Sequence, residues 1–330
     1  LSDFETKLES VVELFSGDAA SVDAAESIPE SHVDALASLG LYGAFAPLDD
    51  GGLGLGLSEM CVVVERLAAA CLASTFVWIQ HFRLLASVLD PTGSSGLREL
   101  KAKVVRGEIK GGVALGGQLA GPARLRAAPE GDGWTLDGHA PWVSGWGIVD
   151  VLFVAARGPE DTVVSLLLPA LEQPGLIVTR HRLSALNASA TVRLNFESVQ
   201  SSGDRVVGVA RYDPSLETPE GLRVNGSLAL GVVRRCCSLL GPTPLDEELA
   251  ARRADLDSAN AATMPLARAR ACELAVRSSH ALSVQRGSSS VLEGGVAERT
   301  AREAALLLTF ASRPSIRQAL LEEFGAAQRN

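Results

Sequence analysis

The 330-residue sequence is short of several things, and each shortage removes a class of explanation. Cysteine numbers only five, an odd count, at Cys61, Cys71, Cys236, Cys237 and Cys272. All stand in apolar, helix-like contexts without C-x-x-C spacing. That argues against a disulfide framework or a zinc ribbon and predicts buried free thiols in a reducing compartment. Histidine is equally scarce, and no group of His, Asp and Glu has metal-ligand spacing. Basic runs are missing: 30 Lys and Arg face 39 Asp and Glu, a formal charge of −9, which argues against nucleic acid as a partner. Long apolar runs are missing too, since Arg or Glu interrupts them short of a membrane span, and no membrane partner is expected. The opening LSDFETKLES is acidic and amphipathic, unlike a signal peptide, so a cytoplasmic protein is expected. There is no Walker loop, Rossmann fingerprint, internal repeat or low-complexity tract.

What is present builds a core. Hydrophobic residues make up 47% and charged residues 21%, enough apolar surface for a large folded body. Three textures follow one another. Residues 1–110 carry helical periodicity, as in ESHVDALASLGLYGAF. Ser58–Leu89 is apolar on almost every face, so it reads as a long helix buried on all sides, started near Glu59 and stopped by Asp90-Pro91. Residues 111–212 turn to short β-branched runs punctuated by Gly and Pro, with EGDGW as a tight hairpin signal. Residues 213–330 return to long Ala/Leu/Arg/Glu helices, with Pro265 expected to kink or break one and RGSSSVLEGG expected to join two. The fold class is therefore α+β: an N-terminal helical domain (1–110), a central antiparallel β-barrel domain (111–212) and a C-terminal helical bundle (213–330).

Half of the four tryptophans fall in one turn-rich stretch, GHAPWVSGWGIVD, as Trp142 and Trp146. An indole buries a large ring and needs a partner for its N–H, so the pair marks either a packing corner or a platform for a flat ligand. Among the histidines, His81 in an apolar helix reads as a satisfied core residue. His139 reads as exposed, and His181-Arg182 as the solvated end of a strand.

Several segments together resemble the acyl-CoA dehydrogenases. LGLYGAFAPLDDGGLGLGLSEMCVVVERLAAACLAST is similar to that family's N-terminal signature, GWTLDGHAPWVSGWGIVDVLFVAAR to its central hairpin, and GLIVTRHRLSALNASATVRLNFESVQ with DRVVG to the end of its β domain. The resemblance implies the α–β–α fold, FAD as cofactor and an acyl-CoA or other acyl thioester as partner. It also implies 2,3-dehydrogenation of that thioester, and homo- or hetero-oligomers formed through the C-terminal helices. It places Trp142, Val143 and Ser144 beside the flavin, with Leu115 and Gly116 in a loop that lines flavin and thioester, and leaves Trp146 to packing. An indole covering a flavin edge and a hydroxyl hydrogen-bonding near its reactive nitrogen make chemical sense on their own terms.

The sequence also departs from the family. The proton-abstracting Glu of many members matches Ala311, in Phe310-Ala311-Ser312-Arg313, and a methyl group takes no proton. The nearest carboxylate of the alternative position is Glu220, which also suits the first turn of a helix. The loop Leu115–Pro122 is shortened, and the pyrophosphate-holding segment appears only as Arg235-Cys236-Cys237-Ser238-Leu239-Leu240-Gly241. Gly294-Gly295 is all that remains of a later Gly-rich loop. Two readings follow: a flavin-dependent acyl thioester dehydrogenase, or a catalytically silent homologue such as the non-catalytic subunit of a heteromeric dehydrogenase.

Overall fold

The computed structural model describes residues 2–91, 95–213, 218–311 and 313–326; Ser312 of the late segment lies outside them. Six α-helices come first among these residues: α1 (Ser2–Ala24), α2 (Glu30–Ser38), α3 (Leu57–Ala70), α4 (Leu72–Ile79), α5 (Phe82–Leu89) and α6 (Ser95–Val105). The single long helix expected over Ser58–Leu89 is three. α3 begins where the Glu59 carboxylate accepts the Gly56 N–H at 2.8 Å and ends at Cys71, whose backbone is extended (φ −144°, ψ 105°). A second break at Gln80-His81 separates α4 from α5. Leu72–Leu89 does have the length and mean hydropathy (1.3) of a membrane-crossing helix, contrary to the sequence reading, but 78% of it is buried inside the fold.

Eight strands follow among the described residues: β1 (Gly111–Ala114), β2 (Leu125–Glu130), β3 (Gly133–Val143), β4 (Val151–Arg157), β5 (Thr162–Pro169), β6 (Leu176–Arg180), β7 (Val192–Ser201) and β8 (Val206–Arg211). They hydrogen-bond in the order β6-β7-β3-β2-β4-β5-β8, with β1 added beside β4. Glu130 pairs with Gly133 across the hairpin that EGDGW signals. The expected antiparallel barrel is instead an open, mixed sheet. β6 and β8 remain its two ends, and β1 and β2 both run parallel to β4. The side-chain alternation of β4 shows why closure is not needed. Leu152 and Val154 join the core enclosed by the curled sheet, while Phe153 and Ala155 point outward and pack on Leu84, Leu85 and Val88 of α5. Helices rather than further strands cover that outer face. At Gly111 the approach is so close that a Cβ would meet the Leu84 Cβ at 2.5 Å.

Among the described residues five α-helices follow: α7 (Pro219–Leu240), α8 (Pro244–Ser258), α9 (Met264–Arg286), α10 (Val296–Thr309) and α11 (Pro314–Glu323). Pro265 sits in the first turn of α9, where its missing N–H costs nothing, so the chain breaks just before it. α1–α4 and α7–α11 share one apolar core. α7 lies against α3 through small residues; a Cβ on Gly231 would meet the Ala68 Cβ at 2.6 Å and the Glu65 carbonyl at 2.7 Å. Buried Glu65 then ties α3 to α8 by accepting from Arg253 Nε (3.0 Å) and Nη2 (2.7 Å). All five cysteines are buried and unpaired.

Candidate functional site

A cleft of ≈ 940 Å³ opens where α4, the sheet, the start of α7 and the end of α10 converge. Phe76 and Phe310 close one wall edge to face, 4.7 Å between centroids, so the last turn of α10 is held against α4. Ile79, Leu183, Leu186 and Leu306 continue the apolar lining. Leu115, Trp142 and Ser144 all face this cleft, so three of the residues singled out in the sequence are brought together. Gly116 is not among its lining residues and packs behind Leu115 against the His139 carbonyl. Val143 is fully buried in the sheet core. Trp146 also packs on that core rather than in the cleft.

Trp142 stands at the end of β3 with 61% of its surface exposed, an unusual position for an indole. It is backed by His181, just past β6, with ring centroids 4.6 Å apart and planes tilted by 35°. His181 Nε2 donates to the Pro141 carbonyl at 2.8 Å, which fixes the tautomer, and the His181 N–H donates to the Thr191 carbonyl. The residue expected as a solvated strand end is therefore half-buried support for the exposed indole.

Beside Trp142 runs a chain of hydroxyls that sequence reasoning only began to find at Ser144. Ser144 Oγ lies 2.8 Å from Thr191 Oγ1, and Ser189 Oγ lies 2.7 Å from the same atom. All three residues line the cleft. The turn that carries Ser189 and Thr191 is strained, with Leu186 (φ 56°) and Ala190 (φ 49°) both left-handed. It is held in place from outside. Asn187 Oδ1 accepts the Leu183 N–H at 3.1 Å, and its Nδ2 donates to the Ala25 carbonyl at 3.1 Å. Gly145 N–H donates to the Ser189 carbonyl at 2.8 Å, zipping the turn to the segment after β3.

The charges are one-sided. Among the described residues no Asp or Glu lines the cleft, whereas Arg302 and Arg313 do. The Arg302 guanidinium is taken up by Asp23 (2.6 Å), Glu298 and the Ser184 carbonyl (2.5 Å), so it braces the wall rather than offering free charge. Ala311 lines the cleft with a left-handed backbone (φ 49°), and its methyl stands where the resemblance calls for a base. Glu220 is exposed in the first turn of α7 and is not among the lining residues, although Thr218 and Gly221 on either side of it are. Arg235, matched to a pyrophosphate-holding position, points into the helical core. There it pairs with Glu303 and donates to the carbonyls of Ala69 (2.7 Å) and Ala68 (3.0 Å).

The other notable histidines are structural. His81 Nδ1 accepts the Gly111 N–H at 3.0 Å, fastening β1 to the α4–α5 break, and burial pushes its pKa down to about 4. His32 bridges Ser74 (Nδ1, 2.7 Å) and Asp18 (Nε2, 3.2 Å). That arrangement has the members of a hydrolytic triad, but His32 and Ser74 are fully buried, and burial lowers the His32 pKa despite Asp18. His139, expected to be exposed, is half-buried.

An exposed indole, a hydroxyl chain with a surplus donor and an apolar wall suit a flat heteroaromatic ring, and a flavin ring fits that description. Trp142, Ser144 and Leu115 line the cleft on that wall.

Known proteins resemble the chain in the same sense. The model of the acyl-CoA dehydrogenase N-terminal domain matches residues 9–111. A 3-sulfinopropanoyl-CoA desulfinase of Paraburkholderia xenovorans is 26% identical over 197 residues, 57% of this chain and 51% of that protein. The chain spans about half the length of the curated relatives it matches. Among solved structures, the butyryl-CoA dehydrogenase of Megasphaera elsdenii superposes with a TM-score of 0.82 at 17% identity, covering 98% of this chain and 97% of that one. A glutaryl-CoA dehydrogenase of Mycobacterium smegmatis in complex with FADH2 gives 0.79 at 18% identity, covering 100% and 96%. At such identities these superpositions establish the fold.

Proposed function

We propose that the chain is a member of the acyl-CoA dehydrogenase family, whose N-terminal domain it matches over residues 9–111, and that it binds a flavin and an acyl thioester in the cleft without supplying its own proton-abstracting carboxylate. The observation that carries this reading is the lining itself: a preformed aromatic and hydroxyl wall with no Asp or Glu among the described residues. When bound, a flavin supplies hydride acceptance. The chain's own residues bind, orient and exclude water. Trp142 walls the ring, Ser144 hydrogen-bonds to its edge, and Phe76, Ile79, Leu183 and Leu306 keep the acyl side dry. Removing the proton next to a thioester carbonyl needs a positioned base, and at Ala311 there is none. The base then comes from a partner chain, as in a heteromeric dehydrogenase, or the reaction does not need one. Assembly through the C-terminal helices is supported by Val284 and Val291, exposed at 82% and 78% beside exposed Leu292. Sedimentation of the purified chain tests it, and a monomer at micromolar concentration rejects it.

A second reading has its own support. A lining without carboxylates does not repel an anionic substituent on the acyl chain, and the desulfinase relative acts, by its name, on a sulfinate-bearing acyl-CoA.

The deciding experiment is an anaerobic titration of the FAD-reconstituted chain, first with saturated acyl-CoA and then with a sulfinate-bearing one. The proposal expects flavin uptake, a spectral perturbation on thioester binding and no complete bleaching by the saturated substrate. Colourless protein that takes up no FAD rejects the flavin. Complete bleaching rejects the missing base. Sulfite release from the second thioester selects the second reading.

A further inference from the structure

We propose that Asn225 is a specificity-determining residue at the inner end of the cleft, where it selects an acyl chain with a hydroxyl group at its tip over a plain hydrocarbon. The inference rests on the acyl-thioester reading above and goes beyond it in naming the substrate class.

One stripe of α7 builds this part of the wall. Thr218, just before the helix, and then Gly221, Leu222 and Asn225 line the cleft at the three- and four-residue spacing of a single helix face. The next residues on that stripe, Leu228 and Ala229, are fully buried and are not among the lining residues. Asn225 is therefore where the α7 wall ends inward. On α4, Phe76, Ile79 and Gln80 line the cleft, whereas Leu72 one turn before Phe76 is fully buried. The start of α4 follows Ala69, whose carbonyl accepts from Arg235 deep in the bundle, so the two linings run out at the same closed end.

An amide at that end is costly unless a ligand uses it. Asn is a poorer helix former than Ala or Leu, and position 225 lies inside α7 rather than at a cap. Its polar neighbours on α7 have partners: Arg223 donates to Asp257 (2.7 Å) and to Ser227 Oγ (2.7 Å). On the facing helices Gln80 donates to the Phe76 carbonyl and Thr309 to the Leu306 carbonyl, each at 2.9 Å. The Asn225 side chain makes no hydrogen bond among the described residues, and it is half-buried in a wall that also holds Phe76, Leu222 and Phe310. A hydrocarbon tip seated there strips water from the amide and returns no hydrogen bond. A hydroxyl donates to the amide oxygen or accepts from its N–H, so it meets the group in either orientation. A charged tip is a poorer match, because burying an anion calls for a free cation, and Arg302 and Arg313 are both engaged already.

Calorimetry on the chain with FAD supplied tests the assignment, using butyryl-, hexanoyl- and octanoyl-CoA, the ω-hydroxy form of each and the ω-carboxy form of each. The wild-type chain is expected to bind at least one ω-hydroxy thioester about tenfold more tightly than its plain counterpart, the worth of one satisfied hydrogen bond. Asn225→Leu and Asn225→Ala both remove that preference, and N225A melts at or above the wild-type temperature because nothing in the fold depends on the amide. Equal affinities within every plain and hydroxylated pair in the wild-type chain overturn the inference, whether or not the variants fold. So does a preference that survives in either variant. A lower melting temperature in N225A makes the amide structural and overturns it too. An ω-carboxy thioester bound more tightly than its ω-hydroxy form overturns the choice of a neutral group. A chain that binds none of the thioesters overturns the acyl-thioester reading itself, and this inference with it.

Discussion

The imidazole of His181 lies 4.6 Å from the indole of Trp142 and anchors the strand beneath it through a 2.8 Å bond to the Pro141 carbonyl. An aromatic pair of this kind is worth about 0.5–1.5 kcal/mol and the hydrogen bond roughly 1 kcal/mol more. If the cleft holds a flavin as proposed, His181→Ala should therefore weaken FAD binding about tenfold, by loosening the indole rather than by removing a ligand contact. Quenching of flavin fluorescence across His181→Ala, Trp142→Ala and the double variant separates the two. Fully additive losses mean that the rings act independently.

Ala311 offers a gain-of-function test. Its left-handed backbone already carries a Cβ, so Ala311→Glu adds length and charge without new backbone strain. If the cleft holds an acyl thioester as proposed, the variant should bleach bound flavin with saturated acyl-CoA at least about tenfold faster than wild type, the lower end of what a positioned base contributes being near a hundredfold. An unchanged rate shows that position 311 does not face the acyl chain in solution.

Acid should destabilise the fold through His81. Burial depresses its folded-state pKa from 6.5 to about 4, so the unfolded chain takes up the proton first as pH falls. The stabilisation is fully present above the unfolded value and is lost between roughly pH 6.5 and 4, amounting to about 3 kcal/mol. His32, also lowered by burial, adds loss of the same sign. Urea denaturation at neutral and mildly acidic pH measures it. His81→Gln, which keeps an acceptor for the Gly111 N–H, should flatten the pH dependence. An equally steep dependence in that variant assigns the effect elsewhere.

Gly231→Ala tests the contact between α3 and α7. The added methyl meets backbone at the Glu65 carbonyl and the Ala69 nitrogen, 2.7 and 2.9 Å away, so neither neighbour yields by rotating a side chain. The expected loss is about 2–3 kcal/mol of stability, at the upper end for overpacking, read from the denaturant midpoint. A loss below about 0.5 kcal/mol means that the two helices separate easily.

The sequence by itself determined the helix–strand–helix order, because periods of 3.6 and 2 are written into one-sided burial and need no knowledge of the partner surface. It also marked Leu115, Trp142, Ser144 and Ala311, which sit in recognisable local motifs and all reach the cleft. It did not show where Ser58–Leu89 divides: uniformly apolar residues fit a straight helix or a bent one, and only packing selects the extended backbone at Cys71. Tertiary structure alone brought Thr191 to Ser144, 47 residues earlier, through the pairing of β7 with β3 and the register shift between Ala140 and Val143. It also turned His181 from a strand end into the support of an indole and directed Arg235 inward to Glu303. Hydroxyls and guanidinium groups carry no periodic signature of the partner they will meet. Their roles arise from which strands pair and how far a helix is rotated, and both are settled by burying the apolar surface of the whole molecule.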